Sequence, residues 1–192
     1  IMIKAVADRL RACVSAGDTV ARLGGDEFAI VQIGSGNARA HAEELTRRIL
    51  RSLAEPHDLD GHQMIVSVSI GIACAPDHGI EADQLLRRAD LALYRAKAAG
   101  RDCCQFFEPE QEVEARFRHH LETELRHAVA RGELELYYQP VINMLTRQVC
   151  GVEALARWNH PKHGLLLPGQ FIPLAEETNL IGDLGEWVLN RV

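Results

Sequence analysis

Residues 20–33 read as two strand-type runs, Val20-Ala21-Arg22-Leu23 and Phe28-Ala29-Ile30-Val31-Gln32-Ile33, separated by Gly24-Gly25-Asp26-Glu27. No other stretch narrows the folding options as far. Apolar, β-prone runs flanking a glycine-rich pair form a hairpin, because glycine takes left-handed backbone dihedrals without steric cost. The tip also carries chemistry. Two residues without side chains let backbone approach a bulky anion, and the carboxylates after them are hard oxygen donors. Mg²⁺ takes one or two such carboxylates together with substrate phosphates. On its own the tip reads either as a nucleoside triphosphate site with Asp26 and Glu27 at the metal, or as a solvated type I′ turn with incidental acids.

The surrounding pattern alternates helix and strand. Ile3, Val6, Leu10 and Val14 recur at helical spacing, and Ser15-Ala16-Gly17-Asp18 breaks them off. After a loop at Gly34-Ser35-Gly36-Asn37, Ala42, Leu45, Ile49 and Leu53 predict a helix ended by Pro56. Alternation from Met64 to Ala73 predicts one strand. Leu85, Leu86, Ala89, Leu93 and Ala96 predict another helix with Gly100 as its left-handed stop, and Cys103 to Phe107 a final strand. This mixture predicts an α/β or α+β domain over 1–108. A polar linker is expected over 109–114. Beyond it, Val113, Phe117, Leu121, Leu125 and Val129 predict a helix stopped by Gly132. Leu134 to Ile142 and Gln148 to Trp158 predict two strands around a short turn near Leu145; 161–168 reads as loop, followed by two helical stretches.

Composition excludes several classes. With 47% hydrophobic and 25% charged residues, the 192-residue chain is that of an ordinary globular protein. A net charge of -6 argues against a general nucleic-acid binder. No apolar run approaches the ~20 residues of a membrane helix. Cys13, Cys74, Cys103, Cys104 and Cys150 are odd in number and lack CxxC spacing, which reads as reduced thiols in a cytoplasmic protein. Ile1 is not an initiator methionine, and the last residues stop inside a helical pattern, so an internal segment of a longer chain is expected.

Arg22-Leu23-Gly24-Gly25-Asp26-Glu27-Phe28 resembles the signature of the GGDEF diguanylate cyclase family. Val68-Ser69-Ile70-Gly71-Ile72-Ala73 and the run from Ala89 to Arg101 resemble further family blocks in the same order. The resemblance implies a nucleotide-cyclase-like α+β fold in which two GTP molecules, on two facing domains of a homodimer, are joined into cyclic di-GMP. It implies Asp26 as a metal ligand, Glu27 as a second acid at the metal or in catalysis, and Gly24 and Gly25 near the phosphates. Lys97 and Arg101 match the phosphate-binding pair. Four residues apart at a helix end, they are also placed to face one anion together, or to compensate the helix dipole. The family's upstream metal strand is absent from this sequence. Where members with product inhibition carry Arg-x-x-Asp, this chain has Ser15 three before Asp18, and a hydroxyl does not replace a bidentate guanidinium. No working inhibitory site is expected at Asp18.

In the strand ending at Trp158, period two places Val149, Gly151, Glu153, Leu155 and Arg157 on one face and Cys150, Val152, Ala154, Ala156 and Trp158 on the other. Glu153 and Arg157 stand ~13 Å apart along it at ~3.3 Å per residue. They read as ligand-facing groups or as a solvated edge ion pair. Tyr137-Tyr138-Gln139-Pro140, Val152 to Trp158, His160-Pro161 and Pro168 to Glu176 resemble the start of an EAL cyclic di-GMP phosphodiesterase domain over 115–192. The implied fold is a modified (β/α)₈ barrel whose first two strands form a hairpin. The implied roles are Glu153 as a metal ligand (Mg²⁺ or Mn²⁺) and Gln139, Leu155 and Arg157 as ligand contacts, Arg157 on a phosphate. The later metal carboxylates and catalytic lysine of that family are absent from this sequence, so residues 1–192 alone are expected to lack both activities. His160 and His163 read as surface histidines on a loop. The whole is expected to be part of a tandem GGDEF–EAL protein that makes, degrades or senses cyclic di-GMP; a non-catalytic sensing module for GTP or cyclic di-GMP is the alternative.

Overall fold

The computed structural model describes residues 2–34, 36–59 and 61–192. Ile1 at the start of the first helix and Ser35 in the expected loop lie outside these residues. The chain divides into two compact units, Ile1–Glu112 and Val113–Val192.

The first unit begins with α1 (Met2–Cys13), β1 (Thr19–Gly24), β2 (Glu27–Val31) and α2 (Ala38–Ala54). Leu10 and Cys13 of α1 and Leu45, Ile49 and Leu53 of α2 are buried together. Val20, Phe28 and Ile30 of the β1–β2 hairpin pack against that core, so the hairpin is anchored by its apolar face while its tip projects beyond it. Asn37 caps α2 by accepting from the Ala40 amide at 3.1 Å. At the other end the Arg9 guanidinium donates to the Ser52 and Pro56 carbonyls, each at 2.6 Å, which satisfies acceptors the helix leaves open. Two short ladders follow: β3 (His57–Leu59) pairs antiparallel with β4 (His62–Met64), and β5 (Ile70–Ile72) pairs parallel with β6 (Cys104–Phe106), across α3 (Ala82–Ala98).

Two expectations change here. The strand expected from 64 to 73 is two short strands. Alternation persists between them, but a strand exists only where a neighbour supplies ladder hydrogen bonds, and 65–69 have no strand partner among the described residues. The linker expected at 109–114 is the start of α4 (Pro109–Ala128). Proline opens a helix without loss of a bond, and Glu110 and Glu112 suit its positive end. Gln111, on the same turn, is buried and donates to the Phe106 carbonyl at 3.1 Å.

In the second unit, β7 (Leu134–Ile142) and β8 (Val149–His160) form a long antiparallel hairpin, to which β9 (Gly164–Leu166) adds a third strand. The expected loop over 161–168 thus contains a strand, closed by a tight turn that leaves Gly164 at φ +70°. Trp158, Leu134, Leu166 and Phe171 form the core with Leu121 and Leu125 of α4 and with α5 (Pro168–Glu177) and α6 (Ile181–Leu189). His160 is not a surface residue: it is buried. Its Nδ1 accepts from the Lys162 and His163 amides at 3.1 and 3.2 Å, so Nε2 carries the proton and bonds to the Glu124 carboxylate. Proline after His160 ends the strand, and the turn folds the ring inward. His163 is exposed, as expected.

Gly71 fixes how closely α3 lies on β5. A Cβ at this position would stand 2.0 Å from the Ala89 carbonyl oxygen and 2.2 Å from the Leu93 nitrogen, both backbone atoms. Gly71→Ala should therefore force the helix off the strand and cost about 1–3 kcal/mol or more. Thermal unfolding checks this; an unchanged midpoint would contradict the close contact.

Candidate functional site

The hairpin tip is held by its own side chains. Arg22 donates from Nε and Nη2 to the Gly25 carbonyl, at 3.0 and 2.7 Å, across the turn. Gly25 is left-handed at φ +51°, and Gly24 pairs with Glu27 after an irregularity between Arg22 and Gly24. Asp26 does not share the left-handed conformation, so the turn is not type I′. Gly24, Gly25, Asp26 and Glu27 are all exposed.

Glu27 faces α3. Its carboxylate lies 3.9 Å from the Lys97 ammonium. Asp90, Leu93, Tyr94 and Lys97 follow one another at helical spacing on one face of α3, and with Glu27 they line a shallow cavity of about 180 Å³. Burial pushes the Asp90 carboxyl above its usual range, the Glu27 charge adds to the rise, and Lys97 opposes it. Sequence reasoning gave Asp90 and Tyr94 no role, although their i, i+4, i+7 spacing with Lys97 marked a common face. Arg101 is placed differently. α3 ends at Ala98, Gly100 is at φ +109° and Arg101 itself at φ +63°, so the helical register that would align Arg101 with Lys97 stops short of it. Arg101 does not line the cavity.

Among the described residues, no three His, Cys, Asp or Glu side chains converge on a point that could hold a metal. The donor set at the tip still suits a hard divalent ion, since Mg²⁺ keeps most of its sites for water and phosphate and needs only one or two carboxylates. Asp26 and Glu27 would be those carboxylates.

Asp18 is engaged within the fold. Its Oδ2 accepts from the Ser15 amide at 2.9 Å and its Oδ1 from the Ile33 amide at 3.0 Å, which ties the α1–β1 turn to the end of the hairpin. These two backbone bonds, the Ser15 one first, hold its carboxyl below the usual range.

In the second unit the strand register gathers the expected residues. Gln139 lies opposite Glu153, Tyr137 opposite Leu155 and Glu135 opposite Arg157, all on one face of the β7–β8 ribbon. The Arg157 guanidinium sits 5.2 Å from the Tyr137 ring centre and donates to the Ala156 carbonyl at 2.9 Å. Glu153 is exposed and has no ion-pair partner among the described residues. On the other face, Trp158 is fully buried and Ala156 packs against the core, whereas Cys150 and Val152 are exposed. The apolar face is thus covered at only one end.

Comparison with known proteins bears on both units. The family model described as "Diguanylate cyclase, GGDEF domain" matches residues 1–103, and the model described as "EAL domain" matches residues 122–192. An uncharacterised signalling protein of Caulobacter vibrioides is 45% identical over 185 residues, covering 96% of this chain and 23% of that protein. The Pseudomonas aeruginosa protein MucR, described as a bifunctional diguanylate cyclase/cyclic di-GMP phosphodiesterase, is 43% identical over 191 residues, covering 100% of this chain and 28% of that protein. The chain therefore spans less than a third of the length of these relatives. Among solved structures, the GGDEF domain of TpbB (also YfiN) from Pseudomonas aeruginosa is similar with a TM-score of 0.57 and 34% identity, covering 60% of this chain and 67% of that one. No described helix is long and apolar enough to cross a membrane.

The Asp18 tie has a pH signature. A carboxyl held below its unfolded value of 3.8 stabilises the fold above that pH, and the stabilisation is lost as pH falls through the folded value. Asp18→Ala should lower the unfolding midpoint near pH 7, and its gap from wild type should narrow as pH falls below 3.8. A gap of the same size in both pH ranges would show that the bonds to Ser15 and Ile33 do not depend on the charge.

Proposed function

Because the chain belongs to the GGDEF diguanylate cyclase family and runs on into residues matching the EAL domain, we propose that the full-length protein works in cyclic di-GMP signalling, joining GTP through the first unit, hydrolysing cyclic di-GMP through the second, or both. The observation that carries this reading is the Gly-Gly-Asp-Glu tip, whose Glu27 stands 3.9 Å from Lys97 across an open cleft. A phosphate chain needs what this arrangement offers: a cation on the α3 wall, and next to Glu27 in sequence a glycine tip it can approach closely.

In this reading Lys97 binds phosphate oxygens as a point charge, giving up its contact with Glu27. Asp26 and Glu27 hold Mg²⁺ or Mn²⁺, which supplies neutralisation of the phosphate charge. Gly24 and Gly25 leave room beside the phosphates, and Arg22 keeps the tip in shape through the Gly25 carbonyl. Arg101 reaches the phosphates only by a route outside the helical register of Lys97. Two such domains face each other as a homodimer, each bringing one GTP. In the second unit Glu153 holds a metal, Gln139 and Leu155 line the ligand face, and Arg157, steadied by Tyr137, takes a phosphate. Residues 1–108 and 115–192 form the two domains. The cytoplasm, where GTP and free thiols occur together, is the proposed location; all five cysteines are unpaired.

Two substitutions test the assignments in the full-length protein. Asp26→Ala, at an exposed tip, should abolish cyclic di-GMP formation from GTP with little change in the unfolding midpoint; formation at the wild-type rate would contradict it. Glu153→Gln keeps shape and polarity but removes the charge a divalent ion needs, so metal-dependent hydrolysis of cyclic di-GMP should fall by orders of magnitude. Arg157→Lys keeps a cation but loses the planar fork, so the Kd for cyclic di-GMP should rise before the turnover rate falls. A Glu153→Gln protein hydrolysing at the wild-type rate would leave Glu153 a solvated strand residue.

A further inference from the structure

Phosphate-binding clefts ordinarily gather positive charge. This one does not. Its charged walls are Glu27 from β2 and Asp90 and Lys97 from α3, two carboxylates to one ammonium. Asp90 lies two helical turns before Lys97 on the same face and is not a neighbour of the glycine tip in sequence, so it is a separate contribution from the helix. It stands on the stretch of α3 that packs on β5 at Gly71, where backbone atoms fill the space of a missing Cβ. A carboxylate fixed beside a triphosphate repels it, and repels it most when the phosphate charge is bare.

We propose that Asp90 is a specificity residue of this cleft, there to make it reject metal-free nucleoside triphosphate and accept the divalent-metal complex. The proposal rests on the reading of the cleft as a GTP site. Lys97 alone would welcome either form. Asp90 and Glu27 together leave the walls net negative, so a polyanion enters at a cost that falls when a divalent cation enters with it. The bound cation also gains from the same two carboxylates, so both effects act in one direction: Asp90 widens the difference in affinity between GTP with metal and GTP without it. This selects for the form in which the phosphate charge is already neutralised, before any chemistry begins.

Equilibrium binding of GTP to the full-length protein, measured by calorimetry in excess Mg²⁺ and again in excess EDTA, gives the ratio of the two Kd values without reliance on turnover. Asp90→Asn should shrink that ratio by about threefold to tenfold, chiefly through tighter binding in EDTA. Lys97→Met changes the charge of the same cleft in the opposite sense and should widen the ratio, while weakening binding in both buffers. Glu44→Gln removes an acid from the exposed face of α2, paired there with Arg47, and should leave the ratio as it is. Asp90→Ser serves as a second neutral variant should the asparagine lower the unfolding midpoint. Wild-type binding of GTP with a ratio that neither Asp90 variant alters would overturn the role of Asp90 and leave the cleft a nucleotide site. Wild-type protein that binds GTP in neither buffer would overturn the site itself, and with it this inference.

Discussion

The contact between α3 and β5 at Gly71 sets the geometry of the first unit. Backbone atoms of Ala89 and Leu93 occupy the volume that any side chain at 71 would need. The helix therefore lies on its strand with no room for a side chain between them, and the same turn carries Asp90 and, two turns on, Lys97. The opposite wall of the cleft is fixed independently. Phe28 and Ile30 pack against the α1–α2 core, which orients the hairpin and brings Glu27 forward to Lys97. Two separate packing constraints thus meet at one pair of charges. The 3.9 Å contact between those charges is exposed and contributes little to stability by itself. In the proposed function its value lies in where it holds the Lys97 ammonium, within reach of a phosphate.

The second unit solves its positioning problem by register. A slip of one residue between β7 and β8 would turn Glu153, Leu155 and Arg157 to the opposite face. Trp158 opposes that slip at one end of the ribbon: it pairs with Leu134 and with Leu166, is fully buried, and donates from its indole nitrogen to Glu133 at 3.0 Å. At the other end the Asn143 side chain accepts from the Leu145 and Thr146 amides at 2.9 and 3.2 Å and shapes the turn. With both ends fixed, Gln139 and Glu153 face each other as a cross-strand pair.

Much of this was legible in the sequence because it depends on local periodicity. The hairpin around Gly24 to Glu27, the helix from Ala82 to Ala98 and the shared face of Glu153 and Arg157 follow from spacing alone. What was not legible depends on partners distant in sequence. The alternation of 64–73 could not say which of its residues would find a neighbouring strand. The polarity of 109–114 suits the solvent side of a helix as well as a linker, and the burial of Gln111 has no local signature. His160 looked like one of two loop histidines, yet its ring is buried by Glu124, contributed by a helix 36 residues away. Arg101 shows the converse case: helical spacing aligned it with Lys97, and the left-handed exit of α3 after Gly100 takes it out of that register.

Hydrogen–deuterium exchange on the full-length protein, with and without Mg²⁺ and GTP, tests the central claim most directly, because it reports where the nucleotide acts on the backbone. Binding in the cleft between the hairpin tip and α3 predicts slowed exchange over 22–28 and over 93–101, with α2 unchanged. GTP that binds but leaves both segments exchanging at their free rate, with protection elsewhere in the first unit, would contradict the assignment of Glu27 and Lys97 to the nucleotide site.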